Sequence, residues 1–298
     1  YRRQRQMCIR DRDTSLMSLP VFQTFPLTTA AGAEIQGLDL SVPLSDDTTK
    51  RLRSIWLRHG VLFFRNQNLD PGQLLKVAKA FGETMPYPLL KGLEGFPEVT
   101  VVSKMEQEEM NFGGIWHSDT AYLETPPMAS LLYAVEVPEH GGDTLFANQA
   151  LAYKSLSETM KNLLCGLTAI NIAGKPAVMN TRSERIEESG SGLRAEQFSA
   201  NHPAVRTHPE TGAKAIYVNR AHTQGFLELS EKEGKALLDF IFEHQVRAEF
   251  CCRFKWTPGT LAFWDNRWMQ HYPVNDYHGH RRIMHRVTLR GDLSLIHI

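Results

Sequence analysis

The feature that most restricts the fold is a succession of short apolar runs, rich in β-branched and aromatic residues and closed by Gly, Pro, Asn or Asp. They fall at residues 61–64 (VLFF), 99–103 (VTVVS), 130–137 (SLLYAVEV), 144–148 (TLFAN), 167–172 (LTAINI), 215–219 (AIYVN), 250–256 (FCCRFKW), 260–264 (TLAFW) and 285–290 (HRVTLR). Runs of this length between turn signals such as PEHGGD and TPGT read as strands. So many strands in a chain of 298 residues must bury their apolar faces against one another. The expected fold is mainly β with flanking helices, a sandwich or a jelly-roll barrel.

The helices carry clear start signals. Ser45-Asp46-Asp47 precedes a run with Leu52, Ile55 and Trp56 on one face, ending at Gly60. Asp70 caps a second helix with Pro71 at its first position and Leu74, Leu75, Ala78 and Phe81 as its apolar face. A helical pair follows Asn148 and Ser157 and ends near Gly166. Ser230 and Glu233 form a capping box before Leu237, Leu238, Phe240 and Ile241. Residues 181–200 are polar, charged and Gly/Ser-containing, and they interrupt the strands. Such a stretch is either a lid or binding loop, or a tolerated surface insertion.

Composition excludes several function classes. Lys+Arg and Asp+Glu are both 33, a formal net charge of zero, so no basic surplus favours nucleic acid. No apolar run reaches the ~18–20 residues that span a bilayer. Cys8, Cys165, Cys251 and Cys252 form no CxxC pair, which argues against a disulfide scaffold or zinc ribbon and for a reducing compartment. The first residues, YRRQRQMCIRDR, have no apolar h-region. They and the closing LSLIHI resemble translated adapter sequence. Residues 1–17 are therefore expected to be a non-native or disordered leader with the native start near Met17, residues 18–292 the domain, and residues 293–298 a non-native tail. A cytoplasmic location is the expectation.

The chemistry concentrates in two places. In Trp116-His117-Ser118-Asp119-Thr120, an extended backbone would turn His117 and Asp119 to the same side, one imidazole and one carboxylate for one ion. Alone the pair carries little weight. His271 follows the 260–264 strand within WDNRWMQHYPVNDY, and RRIMHRVTLRGD comes next. On a strand, Arg282, Met284, Arg286 and Thr288 share one face and Ile283, His285 and Val287 the other. Two arginines facing a barrel interior need anions, and their planar forks suit carboxylates or sulfonates; on an edge strand they would simply be solvated. A His/Asp pair plus a remote His is the two-His-one-carboxylate set that leaves iron positions open for oxygen chemistry.

With WHSDTAYLETPP (116–127), GGDTLFAN (141–148), HPAVRTHPETG (202–212), FWDNRWMQHY (263–272) and RRIMHRVTLRGD (281–292) in this order, the chain resembles the taurine dioxygenase / 2,4-dichlorophenoxyacetate dioxygenase family of Fe(II)/2-oxoglutarate-dependent oxygenases. The likeness covers nearly all of residues 18–292. It implies a double-stranded β-helix, the cupin-like form of the jelly roll. It also implies that His117, Asp119 and His271 bind Fe(II) and so form the catalytic centre. Thr144 and Arg282 would hold the distal carboxylate of 2-oxoglutarate, and Arg286 would meet an acidic group of the primary substrate. O2 is the other cosubstrate, and ascorbate would be expected to stimulate turnover. The implied reaction is hydroxylation beside a heteroatom, with release of succinate and CO2. Relatives commonly form homo-oligomers, so one is expected here; no nucleic acid or membrane partner is.

Taurine-specific members read their substrate with His, Tyr and Asn at positions that fall here at Tyr87, Leu90 and Gly113, and His222 falls where relatives place a pocket residue. The more apolar set points to an apolar-bodied anion, an aryloxyalkanoate, alkyl sulfate or alkyl sulfonate, because polar contacts supply most discrimination. Taurine is the alternative. From a different class, a non-catalytic metal-binding jelly-roll protein would need no such pair of arginines. His140, His202, His208, His244, His278, His280 and His285 are expected at surface or structural positions. Trp264, Asp265 and Asn266 are expected to orient the His271 loop, and Arg206 to brace residues 181–200. Cys251 and Cys252 are expected to be strand residues without redox work.

Overall fold

The computed structural model describes residues 22–294. The expected leader over residues 1–17, with Cys8 and Met17, and residues 295–298 of the expected tail lie outside the described residues. At the tail's start, Leu293 is exposed and the Ser294 hydroxyl meets His202 Nδ1.

An eight-stranded sheet organises the chain. Its order is Gln23–Pro26, Ala33–Gln36, Val61–Phe64, Leu261–Asp265, Ala129–Glu136, Arg282–Leu289 and Thr84–Met85, and Val99–Lys104 also pairs with Arg282–Leu289. Its central strands Val61–Phe64, Leu261–Asp265 and most of Ala129–Glu136 are buried on both faces, which is why they read as unbroken apolar runs. Along Val61–Phe64 the side chains alternate. Leu62 and Phe64 join the core beneath the helices Asp46–His59 and Pro71–Lys79, where Trp56 stacks on Phe263 at 4.6 Å. Val61 and Phe63 join a second core with Phe146, Phe254 and Trp264. There the sheet faces a smaller one, in which Thr144–Asn148 lies between Cys251–Phe254 and Met269–Pro273. Phe63 stacks on Phe254 at 3.7 Å across the gap. A further sheet, Thr223–Phe226, Thr168–Ile172 and Ser199–Pro203, packs with the helix Glu231–His244. The molecule is thus mainly β with flanking helices, as expected, and no helix among the described residues is long and apolar enough to cross a membrane.

The start signals hold. Ser45, Asp70, Asn148, Ser157 and Ser230 all cap helices with their side chains, and the capping boxes at Asp70 and Ser230 are complete. Several expectations need correction. The second helix ends at Lys79, with Phe81 buried just beyond it. Phe240 is 47% exposed, because the buried stripe of its helix runs through Gly234, Leu238, Ile241 and Phe242, and a residue two after Leu238 falls on the opposite face. The runs at 215–219 and 250–256 form only the short strands Lys214–Ile216 and Cys251–Phe254. The strands Ser199–Pro203, Val205–Thr207, Thr223–Phe226 and Met269–Pro273 had no apolar run to announce them.

Residues 181–200 carry regular structure of their own. They hold the helix Ser183–Ser189, a 3-10 turn at Ala195–Gln197 and the start of a strand. Main-chain bonds tie them to the preceding 88–91 segment: Lys91 N donates to Ser189 O at 2.8 Å and Ser191 N to Leu89 O at 3.2 Å. The half-buried Arg185 donates to Glu108 at 2.6 and 2.7 Å. Part of the charge of this stretch is therefore spent on cross-links. Arg206 does not brace this segment; it pairs with Asp292 at 2.8 Å and lies over the Tyr217 ring.

Candidate metal centre

Backbone pairing creates the centre. His117 and His271 form an isolated antiparallel bridge, with His117 N donating to His271 O at 3.1 Å and the reciprocal bond at 2.9 Å. The rings stand 4.1 Å apart between centroids. His117 Nδ1 lies 2.6 Å from Ile115 O, so Nδ1 carries the proton and the Nε2 lone pair is left for an ion. Directly after Asp119 the chain turns at Thr120, with φ +39°. His117 Nε2 and Asp119 Oδ1 are 3.6 Å apart. One ligand atom from each of His117, Asp119 and His271 lies within 4.8 Å of the others, all three residues are buried, and this is the one such cluster among the described residues.

A hydrogen-bond relay fixes the carboxylate. Trp264 Nε1 donates to Asn266 Oδ1 at 2.9 Å, so the Asn266 amide must present Nδ2 on its other side. Nδ2 donates to Ser130 Oγ at 2.9 Å, and the Ser130 hydroxyl then donates to Asp119 Oδ2 at 2.6 Å. The other carboxylate oxygen accepts from Arg286 Nη1 at 3.2 Å. Burial opposes ionisation of Asp119, but Arg286 and the two histidines outweigh it and hold the carboxyl well below its usual range. Burial, then His117, pushes His271 well down. Asp119 thus stays an anion and His271 gives up its proton readily, as binding of a divalent cation requires. Of the three residues expected to orient the His271 loop, Trp264 touches the His271 ring at 4.7 Å, whereas Asn266 serves Asp119. Asp265 holds Arg267 and His208 instead. Ser130 was not foreseen.

A cavity opens beside the cluster, lined by Thr144, Arg282 and Arg286 and by the apolar Val102, Phe112, Leu132, Trp264 and Pro273. Both arginines come from the inward face of Arg282–Leu289, which has neighbours on both sides, so they are not edge-strand residues in solvent. Arg282 Nε and Nη2 are buried without a partner. Thr144 Oγ1 accepts from Trp256 Nε1 at 2.9 Å, which leaves its O–H free to donate. Arg286 keeps Nε and Nη2 unpartnered. A wider cavity of about 480 Å³ shares Phe112 as a wall and is lined further by Glu108, Asn180, Thr181 and Arg185.

The four other expected pocket residues separate. The Arg286 guanidinium lies 4.5 Å over the Tyr87 ring. Gly113 adopts φ +70°, a conformation that strains other residues, and a Cβ there would stand 3.2 Å from His117 Cε1 and 3.5 Å from Nε2, so the His117 ring would have to give way by a few tenths of an ångström. His222 packs edge-on to His117 at 6.3 Å, with both ring nitrogens buried and unpartnered, and burial followed by Arg182 pushes its pKa well down. Leu90 does not line the cavity; it packs with Leu89, Tyr122 and Ala195 and bridges Gly190. Arg182, which no sequence signal singled out, is buried near this group with Nε and Nη1 unpartnered.

Away from the centre, His202 sets a pH limit on stability. Its Nε2 donates to Leu123 O at 3.0 Å and its Nδ1 faces the Ser294 hydroxyl, the pattern of a neutral ring. Burial, then Arg206, pushes its pKa down to about 4. An unfolded histidine titrates near 6.5, so below that the unfolded chain binds a proton the folded one refuses. Stability should fall as pH drops from about 6.5 to about 4, by about 1.4 kcal/mol per unit, and be insensitive to this group above 6.5. Thermal denaturation between pH 7.5 and 4.5 checks this, with His202→Asn expected to flatten the decline.

Comparison with known proteins is consistent with this geometry. The sequence profile described as "Taurine catabolism dioxygenase TauD, TfdA family" matches residues 23–288. An alkylsulfatase of Acinetobacter baylyi is 31% identical over 273 residues, 90% of this chain and 84% of that protein. An alpha-ketoglutarate-dependent sulfate ester dioxygenase of Pseudomonas putida is 32% identical over 279 residues, 91% of this chain and 90% of that protein. The crystal structure of a taurine dioxygenase from Burkholderia xenovorans superposes with a TM-score of 0.78 at 34% identity, covering 92% of this chain and 90% of that one.

Proposed function

This chain belongs to the TauD/TfdA family and is an alpha-ketoglutarate-dependent dioxygenase, and from that premise we propose that it uses Fe(II) to hydroxylate an alkyl sulfate ester or a related small anion at the carbon beside the heteroatom. The observation that carries this is the pairing of a buried His/Asp/His cluster with two inward arginines that keep unpartnered donors. Buried guanidinium donors without acceptors are costly; an acid bound in their place removes the cost. The facing sheets support a double-stranded β-helix as the frame.

His117, Asp119 and His271 would hold the ion, and the Ser130–Asn266 relay keeps the carboxylate aimed at it. Arg282, with the free Thr144 hydroxyl beside it, binds the far carboxylate of 2-oxoglutarate. Arg286 spends Nη1 on Asp119 and offers Nε and Nη2 to the substrate acid. The apolar walls, Val102, Phe112, Leu132 and Pro273, suit an alkyl body and exclude water from the reacting carbon. The chemistry supplied at a bound iron is the coupling of 2-oxoglutarate decarboxylation, giving succinate and CO2, to insertion of one oxygen atom of O2 into a substrate C–H bond. Hydroxylation of the carbon bearing a sulfate ester gives a product that collapses to an aldehyde and sulfate.

The alkylsulfatase and sulfate ester relatives favour the sulfate ester over taurine, and the apolar Val102, Phe112, Leu132 and Pro273 suit an alkyl body. The test is succinate release from 2-oxoglutarate with Fe(II), ascorbate and O2, across alkyl sulfates, alkyl sulfonates, aryloxyalkanoates and taurine, with His117→Ala as the blank. Stimulation greatest with an alkyl sulfate, and sulfate released in step with succinate, is expected. Stimulation by taurine alone would replace the substrate proposed here.

A further inference from the structure

The stretch at residues 181–200 brings a third guanidinium to the centre. Arg182 is 4% exposed, and its Nε and Nη1 meet no acceptor. It precedes the helix Ser183–Ser189, held against the 88–91 segment by the main-chain bonds described above. Its guanidinium carbon lies 5.4 Å from the centre of the Phe112 ring, which walls the metal-side cavity. Phe112 in turn packs edge-on to Tyr87. The hydroxyls of Tyr87 and Tyr122 are 3.4 Å apart, and the Arg286 guanidinium lies over Tyr87. Arg182 interacts electrostatically with both phenols and with Asp119. Two guanidiniums with free donors therefore flank one pair of phenols.

Charge balance points the same way. Arg182, Arg282 and Arg286 bring three positive charges to this region; Asp119 faces Arg286 and interacts with Arg182, while the acid that acts on Arg282 is Asp143. Arg185 nearby is already neutralised by Glu108 and Glu188. A bound 2-oxoglutarate answers Arg282, and Asp119 with the metal occupies one donor of Arg286. Among the described residues Arg182 forms no ion pair of its own and interacts with the Tyr87 and Tyr122 phenols and the shared Asp119, and a buried cation kept in that state is costly unless an anion arrives.

We propose that Arg182 and Arg286 together clamp the acid group of the primary substrate, with Arg182 as the specificity-determining residue that distinguishes a sulfate ester from its neutral parent alcohol. This rests on the site being one for 2-oxoglutarate and an anionic substrate. Arg286 alone, tied to Asp119, cannot offer its whole fork; a second guanidinium completes the set of donors that a three-oxygen sulfate head accepts.

The experiment measures binding before turnover. Hexyl sulfate is titrated by calorimetry into full-length protein loaded with Mn(II) and 2-oxoglutarate, for wild type, Arg182→Gln and Arg182→Lys. Loss of one charge-assisted pair should raise the hexyl sulfate Kd at least about tenfold in Arg182→Gln. Arg182→Lys, which keeps the charge but not the fork, should fall between. 2-Oxoglutarate affinity should stay within about twofold, since Arg282 and Thr144 hold it. Binding of 1-hexanol, which lacks the acid, should not respond to either variant; a general collapse of the site would weaken it too. No hexyl sulfate binding by wild type, equal binding by wild type and Arg182→Gln, or parallel loss of 1-hexanol binding would overturn the assignment. Normal binding that depends on Arg182, with no succinate formed by iron-loaded wild type, would leave the clamp standing and overturn the enzymatic function.

Discussion

Asp119→Asn should all but abolish metal binding and turnover while leaving the protein folded. The amide has nearly the shape of the carboxylate, so the Ser130 contact at 2.6 Å can be kept and the core is undisturbed. What disappears is the negative charge that answers Arg286 and interacts with Arg182. Arg286 Nη1 loses its acceptor at 3.2 Å, and a divalent cation would have to enter a region with no compensating charge. Its contribution of several kcal/mol to the reaction goes with it, so activity should drop by at least about a thousandfold. Mn(II) titration of the variant, with the melting temperature as control, separates this from unfolding. Tight Mn(II) binding by Asp119→Asn would remove Asp119 from the ligand set.

Arg282→Gln should act on a different ligand. Arg282 is buried on the inward face of its strand, its Nε and Nη2 have no hydrogen-bond partner among the described residues, and burial lowers its pKa from the usual arginine value. The cost of holding it there is recovered only when a carboxylate arrives. Truncating one partner of a buried charge pair costs about 2–5 kcal/mol, so the 2-oxoglutarate KM should rise about a hundredfold. The KM for the sulfate ester should change far less, the inverse of Arg182→Gln. The free Thr144 hydroxyl predicts a smaller change of the same kind for Thr144→Val. Equal effects of Arg282→Gln on both KM values would mean that the two acids share one subsite.

Much of the site was legible because strands impose a period of two. Arg282 and Arg286 are four apart on one strand, so their common face followed from alternation, and the structure buries both. The doubly buried strands announced themselves as apolar runs, and the helices by their caps, because both signals lie within a few neighbouring residues. His117 and Asp119 were legible as a pair two apart. Their junction with His271 was not, since it is made by a backbone bridge across 154 positions, 271 less 117.

The sequence by itself determined the strand-rich class, the capped helices, the His117/Asp119 pair and the common face of Arg282 and Arg286, because each depends on local spacing or on residue type. Only the tertiary structure decided how those parts are held and what covers them. The relay Trp264–Asn266–Ser130–Asp119 joins three separate segments through hydrogen-bond polarity, which leaves no periodic trace. Gly113 matters because its missing Cβ leaves space beside His117, a fact about two backbones and not about a motif. Residues 181–200 are charged and read equally as a lid, a binding loop or an insertion; their cross-links to the 88–91 segment and to Glu108 place Arg182 against Phe112 beside the candidate metal centre. A charge in a sequence carries no sign of whether it will meet water or a partner, and only packing makes that choice.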